Sequence, residues 1–245
     1  MKNKSIQFII GTVMVISILS SISCGPNNNT PDPVNCFGAV ACYQFNGNAN
    51  DASGNSFNGT VHGATLDVGR NGDANGSYHF GGYKSGNPDY IELPTLQSMN
   101  NTEEISISMW IKVDVSIPTG NSPFTLMPDV PGDRLNAHVN YSPYTIFWDN
   151  GDIYGNGRVY VNQTNSYSWD HFVFIKSATG NKMQVYKNNV LIIDASKHDD
   201  ITDKNRSIRL GGGAGGDQYF AGWMDDVRIY KKALSASEVT ALFNE

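Results

Sequence analysis

Between residues 136 and 160 the chain carries Tyr141, Tyr144, Phe147, Trp148, Tyr154 and Tyr160 among Asn136, His138, Asn140, Asp149, Asn150, Asp152, Asn156 and Arg158. Aromatic faces stack on the C–H side of a sugar ring, and amides, carboxylates or a guanidinium beside them bond its hydroxyls. The residues nearest to turn signals are Tyr144, Trp148 and Tyr154, so these are the expected stacking residues, with Arg158 as their polar companion. Phe147 and Tyr160 fall on predicted strands and are assigned to packing, as are Trp110 and Trp169, because a strand-built core needs large apolar side chains. Trp223 is a lesser candidate.

Other chemistries find little footing. Gly-x-Ser-x-Gly is absent, and His62, His79, His138, His171 and His198 show no zinc spacing. The run Gly211-Gly212-Gly213-Ala214-Gly215-Gly216 has the form of a dinucleotide-binding pattern. That mechanism needs a helix to open at the third glycine, whereas residues 217–224 lead straight into another strand. The run reads instead as a flexible loop joining strands, placed where it could border a ligand site.

The elements that must hold these residues are strands. The 245-residue chain has 25 Gly, 10 Pro and 18 Asp against only five Glu, a composition of turns rather than of helix surfaces. With 40% apolar and 16% charged residues it can fill one core, which excludes disorder and coiled coil. The net charge of −6 comes with no basic stripe, so nucleic acid is excluded as a partner, while the acidity suits cations.

Short alternating runs are expected as strands at 40–45, 77–80 and 90–93. At 105–113, Ile105, Ile107, Met109, Ile111 and Val113 share one face, opposite Ser106, Ser108, Trp110 and Lys112. Runs at 172–176, 183–186 and 190–193 read as a meander whose turns fall at 179–181 and 188–189. One helix is expected near the end of the sequence, with Ser235 as N-cap, Glu238 completing a capping box and Leu234 stapled to Val239. Strands without regular helix alternation exclude a doubly wound sheet and favour an antiparallel sandwich.

At the amino terminus Lys2 and Lys4 precede an apolar run over 6–19 and then small residues up to Cys24, the layout of a signal peptide over 1–23. A single-pass anchor is the other reading, but the run is short for a span of about 20 residues and is interrupted by Gly11, Thr12 and Ser17. Ser21-Ile22-Ser23-Cys24-Gly25 resembles the lipobox of bacterial lipoproteins, which implies lipidation of Cys24 and a lipid anchor in the membrane; secretion with a free Cys24 is the alternative. Residues 24–37 then read as a polar, Pro-containing tether and 38–245 as the folded domain. Without residues 1–23 the chain keeps 15 Lys and Arg against 23 Asp and Glu, a net charge of −8, and two cysteines besides Cys24. Either Cys36 and Cys42 form a disulfide that pins the tether to the first strand, or Cys42 is simply a buried apolar residue beside Tyr43.

Several segments together resemble one family. They are Ala41-Cys42-Tyr43-Gln44-Phe45-Asn46-Gly47-Asn48-Ala49-Asn50-Asp51-Ala52-Ser53-Gly54, Asn58-Gly59-Thr60, Ile107-Ser108-Met109-Trp110-Ile111-Lys112, Trp169-Asp170-His171-Phe172-Val173, and Asp225-Asp226-Val227-Arg228-Ile229-Tyr230 with Ala233-Leu234-Ser235. In this order they are similar to the LamG-like jelly-roll domains of the concanavalin A-like lectin and glucanase superfamily. The resemblance implies an all-β fold, a two-sheet antiparallel jelly-roll sandwich with one short C-terminal helix. It also implies frequent association with carbohydrate and with bacterial surface lipoproteins, but no particular activity.

The resemblance further implies a structural calcium where the first loop meets the last strand, carried onto Asp51, Gly54 and Asp225, with Asn46 as another carbonyl donor. The same residues also read as an ordinary Asx turn at Asp51 and an ion pair between the Asp225-Asp226 pair and Arg228. Glycanases of this superfamily use a close Glu-x-Asp-x-x-Glu cluster, and Glu92, Glu103, Glu104, Glu238 and Glu245 are never so arranged. The expectation is therefore a non-catalytic lipoprotein of the cell envelope, anchored in the outer membrane, that binds carbohydrate. The alternatives are an adhesion or assembly module with a surface-protein partner and, third, a glycan-active enzyme.

Overall fold

A computed structural model describes residues 35–82, 88–99, 103–114, 122–126, 133–141, 144–164, 167–197, 199–201, 204–213 and 218–245. The signal segment, Cys24 and most of the tether lie outside them. The strands are β1 (Ala41–Tyr43), β2 (Thr60–His62), β3 (Thr65–Asp67), β4 (Ser77–Gly81), β5 (Tyr90–Thr95), β6 (Glu104–Val113), β7 (Phe124–Leu126), β8 (Asp133–Tyr141), β9 (Thr145–Asp152), β10 (Arg158–Asn162), β11 (Asp170–Ser177), β12 (Lys182–Lys187), β13 (Val190–Ala195), β14 (Ser207–Leu210) and β15 (Ala221–Tyr230). One helix, α1 (Ala236–Phe243), follows.

Two antiparallel sheets form the expected sandwich. One runs β13-β12-β11-β6-β15-β4-β3, with β1 also on β15; the other runs β10-β9-β8-β7-β14-β5-β2. Alternation decides which side chains meet between them. From β6 come Ile105, Ile107, Met109 and Ile111, and facing them from the other sheet stand Phe124, Leu135, Ala137 and Ile146, all buried in one cluster.

The opposite side of β6 is also covered, which its sequence does not show. Ser106 Oγ donates to Lys232 O and accepts from Leu234 N, so the segment leading into α1 lies along that face. Trp110 stacks on Phe243 of the helix at 5.9 Å, and Ser108 Oγ and His171 Nε2 are hydrogen-bonded at 2.8 Å. Burial and the nearby Arg228 and Arg70 charges push the His171 imidazole down to about 3. The capping box is formed as expected: the Ser235 side chain accepts from Glu238 N, and the Glu238 side chain accepts from Ser235 N.

Cys36 and Cys42 are joined in a disulfide with Cα atoms 5.8 Å apart. Cys42 is buried as well, so both properties weighed for it hold. The Gly-rich run is tightly packed where it is described. A Cβ at Gly211, whose φ is +77°, would stand 2.3 Å from the Phe80 ring, and one at Gly213 would stand 2.0 Å from Gln218 O. These glycines let the chain pass close to its neighbours.

Candidate functional site

The outward face of the seven-stranded sheet carries a continuous polar row. Arg158 pairs with Asp149 and Asp149 with Asn136. Asn136 pairs with Thr125, Thr125 with Arg209, Arg209 with Glu92 and Glu92 with Thr60. The row exists because each strand alternates: Leu135 and Ala137 on β8, and Ile146 and Trp148 on β9, turn into the core and leave their neighbours facing out.

Asp149 is the hub. Arg158 Nε donates to its Oδ1 at 2.7 Å and Arg158 Nη2 to its Oδ2 at 2.8 Å. From the other side, Arg134 Nε and Nη2 donate to Oδ2 at 3.1 and 3.0 Å. Asp149, Asn136 and His138 are fully buried although they face away from the core. Gln218, just before β15, accepts from Arg134 Nη1 at 3.0 Å and helps to enclose them. The Asp149 bonds, the largest influence on Arg158, hold its guanidinium firmly protonated.

His138 Nε2 faces two donors, Arg134 Nη2 at 3.0 Å and Asn136 Nδ2 at 2.6 Å. It must therefore accept, which assigns the ring proton to Nδ1, 2.9 Å from Ser122 Oγ. Burial first, then the Arg134 and Arg158 charges, hold His138 well below the usual histidine range, so it stays neutral. Ser122, His138 and Asp149 thus have the composition of a hydrolytic triad without its hydrogen-bond pattern. The imidazole donates to the serine rather than accepting from it, its other nitrogen is occupied, and Ser122 is buried.

Beside this hub the surface is aromatic. The Arg158 guanidinium lies 4.3 Å over the Phe147 ring, and Phe147 contacts Tyr160 at 5.8 Å and Tyr141 at 5.2 Å between centroids. Tyr160 is 65% exposed.

The four expected ligand residues part company here. Arg158 lies between Asp149 and Phe147, beside the exposed Tyr160. Tyr154, 85% exposed, stands in the β9–β10 turn at its rim. Tyr144, 51% exposed, lies beyond the opposite end of β9, roughly 16 Å from Asp149 at ~3.3 Å per residue, where it lines a separate pocket with Asn140, Gln163 and Lys187. Trp148 must be corrected. It is fully buried, 5.4 Å from Phe174, and its Nε1 donates across the sandwich to Ile175 O at 2.9 Å. Tyr160, expected in the core, is the exposed residue instead. The signal for it was the alternation Arg158-Val159-Tyr160-Val161-Asn162, which puts Tyr160 on the face of Arg158.

The residues expected to hold calcium fit it poorly. Asp51 Oδ1 accepts from Cys42 N and Ser53 N, and its Oδ2 accepts from Ser53 Oγ and Phe57 N, the pattern of a turn-closing carboxylate. Asn46 and Asp51 share a shallow pocket that includes neither Gly54 nor Asp225. Among the described residues no three His, Cys, Asp or Glu side chains converge as a metal site. Asp225 does not open the last strand but sits within β15, at a bulge where Asp226 has φ +46°. Its Oδ2 accepts from Arg70 N, while Asp226 pairs with Arg70 at 3.0 Å.

Burial and the adjacent Asp226 push the Asp225 carboxyl up to about 7. The folded protein therefore holds this proton more tightly than the unfolded chain. Its ionisation costs stability above pH 7, a cost relieved as pH falls from 7 towards 4. At about 1.4 kcal/mol per pH unit, reduced by local relaxation, Asp225→Asn should stabilise the protein by about 1–2 kcal/mol at pH 8 and by almost nothing at pH 4. Urea unfolding in EDTA measures this, and equal effects at both pH values would contradict it. A calcium-dependent stabilisation that vanishes in the variant would restore the metal reading.

The chain is thus a two-sheet antiparallel sandwich with a buried polar hub and an aromatic rim on the outer face of one sheet. A family model described as the concanavalin A-like lectin/glucanases superfamily matches residues 85–240, and the chain belongs to that superfamily. No curated protein matches the chain. Among solved structures it is similar to domain 4 of AbnA, a GH43 extracellular arabinanase from Geobacillus stearothermophilus, in complex with arabinotriose. The identity is 22% over 83% of this chain and 97% of that one, with a TM-score of 0.66. It is also similar to the binding domain of botulinum neurotoxin serotype G, at 15% identity, 84% coverage of this chain and a TM-score of 0.62. The binding domain of botulinum neurotoxin DC, in complex with rat synaptotagmin II, gives 15%, 86% and 0.61. The chain spans about half the length of both neurotoxin domains. At these identities the likeness is one of fold.

Proposed function

We propose that the protein is a non-catalytic carbohydrate-binding module, held to a bacterial outer membrane by a lipid on Cys24. The observation that carries the reading is Tyr160, exposed beside an Arg158 guanidinium that Asp149 and Phe147 lock in place. A sugar ring set on Tyr160 finds a fixed donor next to it and loses little entropy in ordering the site. The arabinanase domain, which binds arabinotriose on a similar fold, supports this. The neutral, doubly engaged His138 and the twice-paired Asp149 support a role without acid or base chemistry. Lys2, Lys4, the apolar run and Cys24 support the envelope location.

A protein partner is the second reading. One neighbour was solved with synaptotagmin II, and β13 ends its sheet with Val190 and Leu191 exposed. A glycan array with the full chain in detergent separates the two. At least one glycan should bind, and Tyr160→Ala should weaken it about tenfold with an unchanged melting temperature. Binding of no glycan would reject the carbohydrate reading.

A further inference from the structure

Four strands from Arg158 in the same polar row stands a second arginine, which the reading above does not use. Arg209 on β14 lies with its guanidinium carbon 4.3 Å over the Tyr90 ring. His62 stacks on Tyr90 at 4.4 Å with the planes 17° apart. Their strands, β14 and β2, flank β5, so histidine and arginine bracket the tyrosine from either side. At ~4.8 Å between neighbouring strands, Arg209 is roughly 19 Å from Arg158.

The two arginines differ in one respect. Arg158 spends its charge on Asp149. Arg209 Nε is buried with no hydrogen-bond partner, and no ion pair is seen for this side chain among the described residues. Glu92, its cross-strand neighbour, turns its carboxylate instead towards His62 Nε2, at 3.8 Å. A guanidinium held over an aromatic ring with a buried Nε–H that has no acceptor is a costly arrangement unless something supplies one.

The chain also packs closely against the stems of this pair. A Cβ at Gly212 would stand 3.0 Å from Arg209 Cβ and Cδ and 3.3 Å from Tyr90 Cβ, so glycine is what lets the backbone pass over the pair. Gly212 therefore borders the arginine directly.

We propose that Arg209, posed on Tyr90, is an anion-accepting subsite for an acidic sugar unit, a ring carrying a carboxylate or a sulfate. The inference rests on the carbohydrate reading and names its ligand class: glycans with acidic residues are preferred over neutral ones. Carboxylate and sulfate both match the planar fork of a guanidinium, and a bond made there, partly out of water, is stronger than one at a fully hydrated arginine.

Isothermal titration of the full chain in detergent tests it with three probes: tetragalacturonate, its methyl ester and a chondroitin sulfate tetrasaccharide. At least one acidic probe should bind about tenfold or more tighter than the neutral ester, and which one does tells carboxylate from sulfate. Arg209→Gln should abolish that preference while the affinity for the ester and the melting temperature stay the same. Arg209→Lys, which keeps the charge but loses the planar guanidinium, should recover part of it. Equal binding of acid and ester, or a preference that survives Arg209→Gln and disappears in Arg158→Gln, would overturn the proposal and leave the carbohydrate reading standing. Binding of none of these probes, with other glycans bound on the array, would overturn it in the same way. Binding of no glycan at all would overturn both.

Discussion

Asp149→Ala should destabilise the protein by about 3–5 kcal/mol and remove glycan binding, because it leaves two guanidinium groups without their acceptor. Arg134 is 5% exposed and Asp149 itself is not exposed at all. With the carboxylate gone, Arg134 keeps only Gln218 and His138, and His138 can offer a single lone pair. Arg158 would lose both of its bonds to that carboxylate and with them the pose over Phe147. The size of the effect is mainly that of stranding a buried charge, not the worth of the pair when intact. Arg158→Ala alone should cost far less, because Arg134 continues to pair Asp149 and the vacated side faces solvent. Urea denaturation of both variants measures this. A loss below about 1 kcal/mol for Asp149→Ala would mean that water reaches the hub and that it is not the rigid floor described.

The second large effect concerns Trp148. Replacing it by alanine should cost about 3–5 kcal/mol, through the cavity left between Phe124 and Phe174 and through the unpaired Ile175 carbonyl across the sandwich. Trp148→Phe should cost less, since it fills most of the volume and loses only the hydrogen bond. The correction to Trp148 as a stacking residue is tested by the same variant. Trp148→Phe should bind glycan as the parent does, whereas a true stacking residue would lose affinity at little cost in stability. Weakened binding with an unchanged unfolding midpoint would return Trp148 to the ligand.

Local signals were legible wherever the governing physics is local. The Ser235 and Glu238 capping box involves residues three apart and formed as expected. The alternation of β6 placed Ile105, Ile107, Met109 and Ile111 together in the core. Turn proximity, however, proved a poor guide to exposure. Trp148 and Tyr160 lie on neighbouring strands, and Cα pairing sets Tyr160 against Phe147 and Val159 against Trp148. A shift of one residue along a strand exchanges core for solvent, so the phase of each strand mattered more than its distance from a turn.

Strand content, the all-β class, the terminal helix and the family resemblance were thus determined by the sequence, because periods of two and spacings of three are written within a few residues. The tertiary structure alone decided which side of each strand is covered. The outer side of β6 is closed by a segment more than a hundred residues later, through Ser106 and Lys232. Likewise Asp51 is a turn carboxylate because Cys42 and Phe57 donate to it, and among the described residues Arg209 Nε has no acceptor while Glu92 leans towards His62. Burial, pairing and charge compensation depend on which distant groups arrive at a face, and no window of sequence contains both partners.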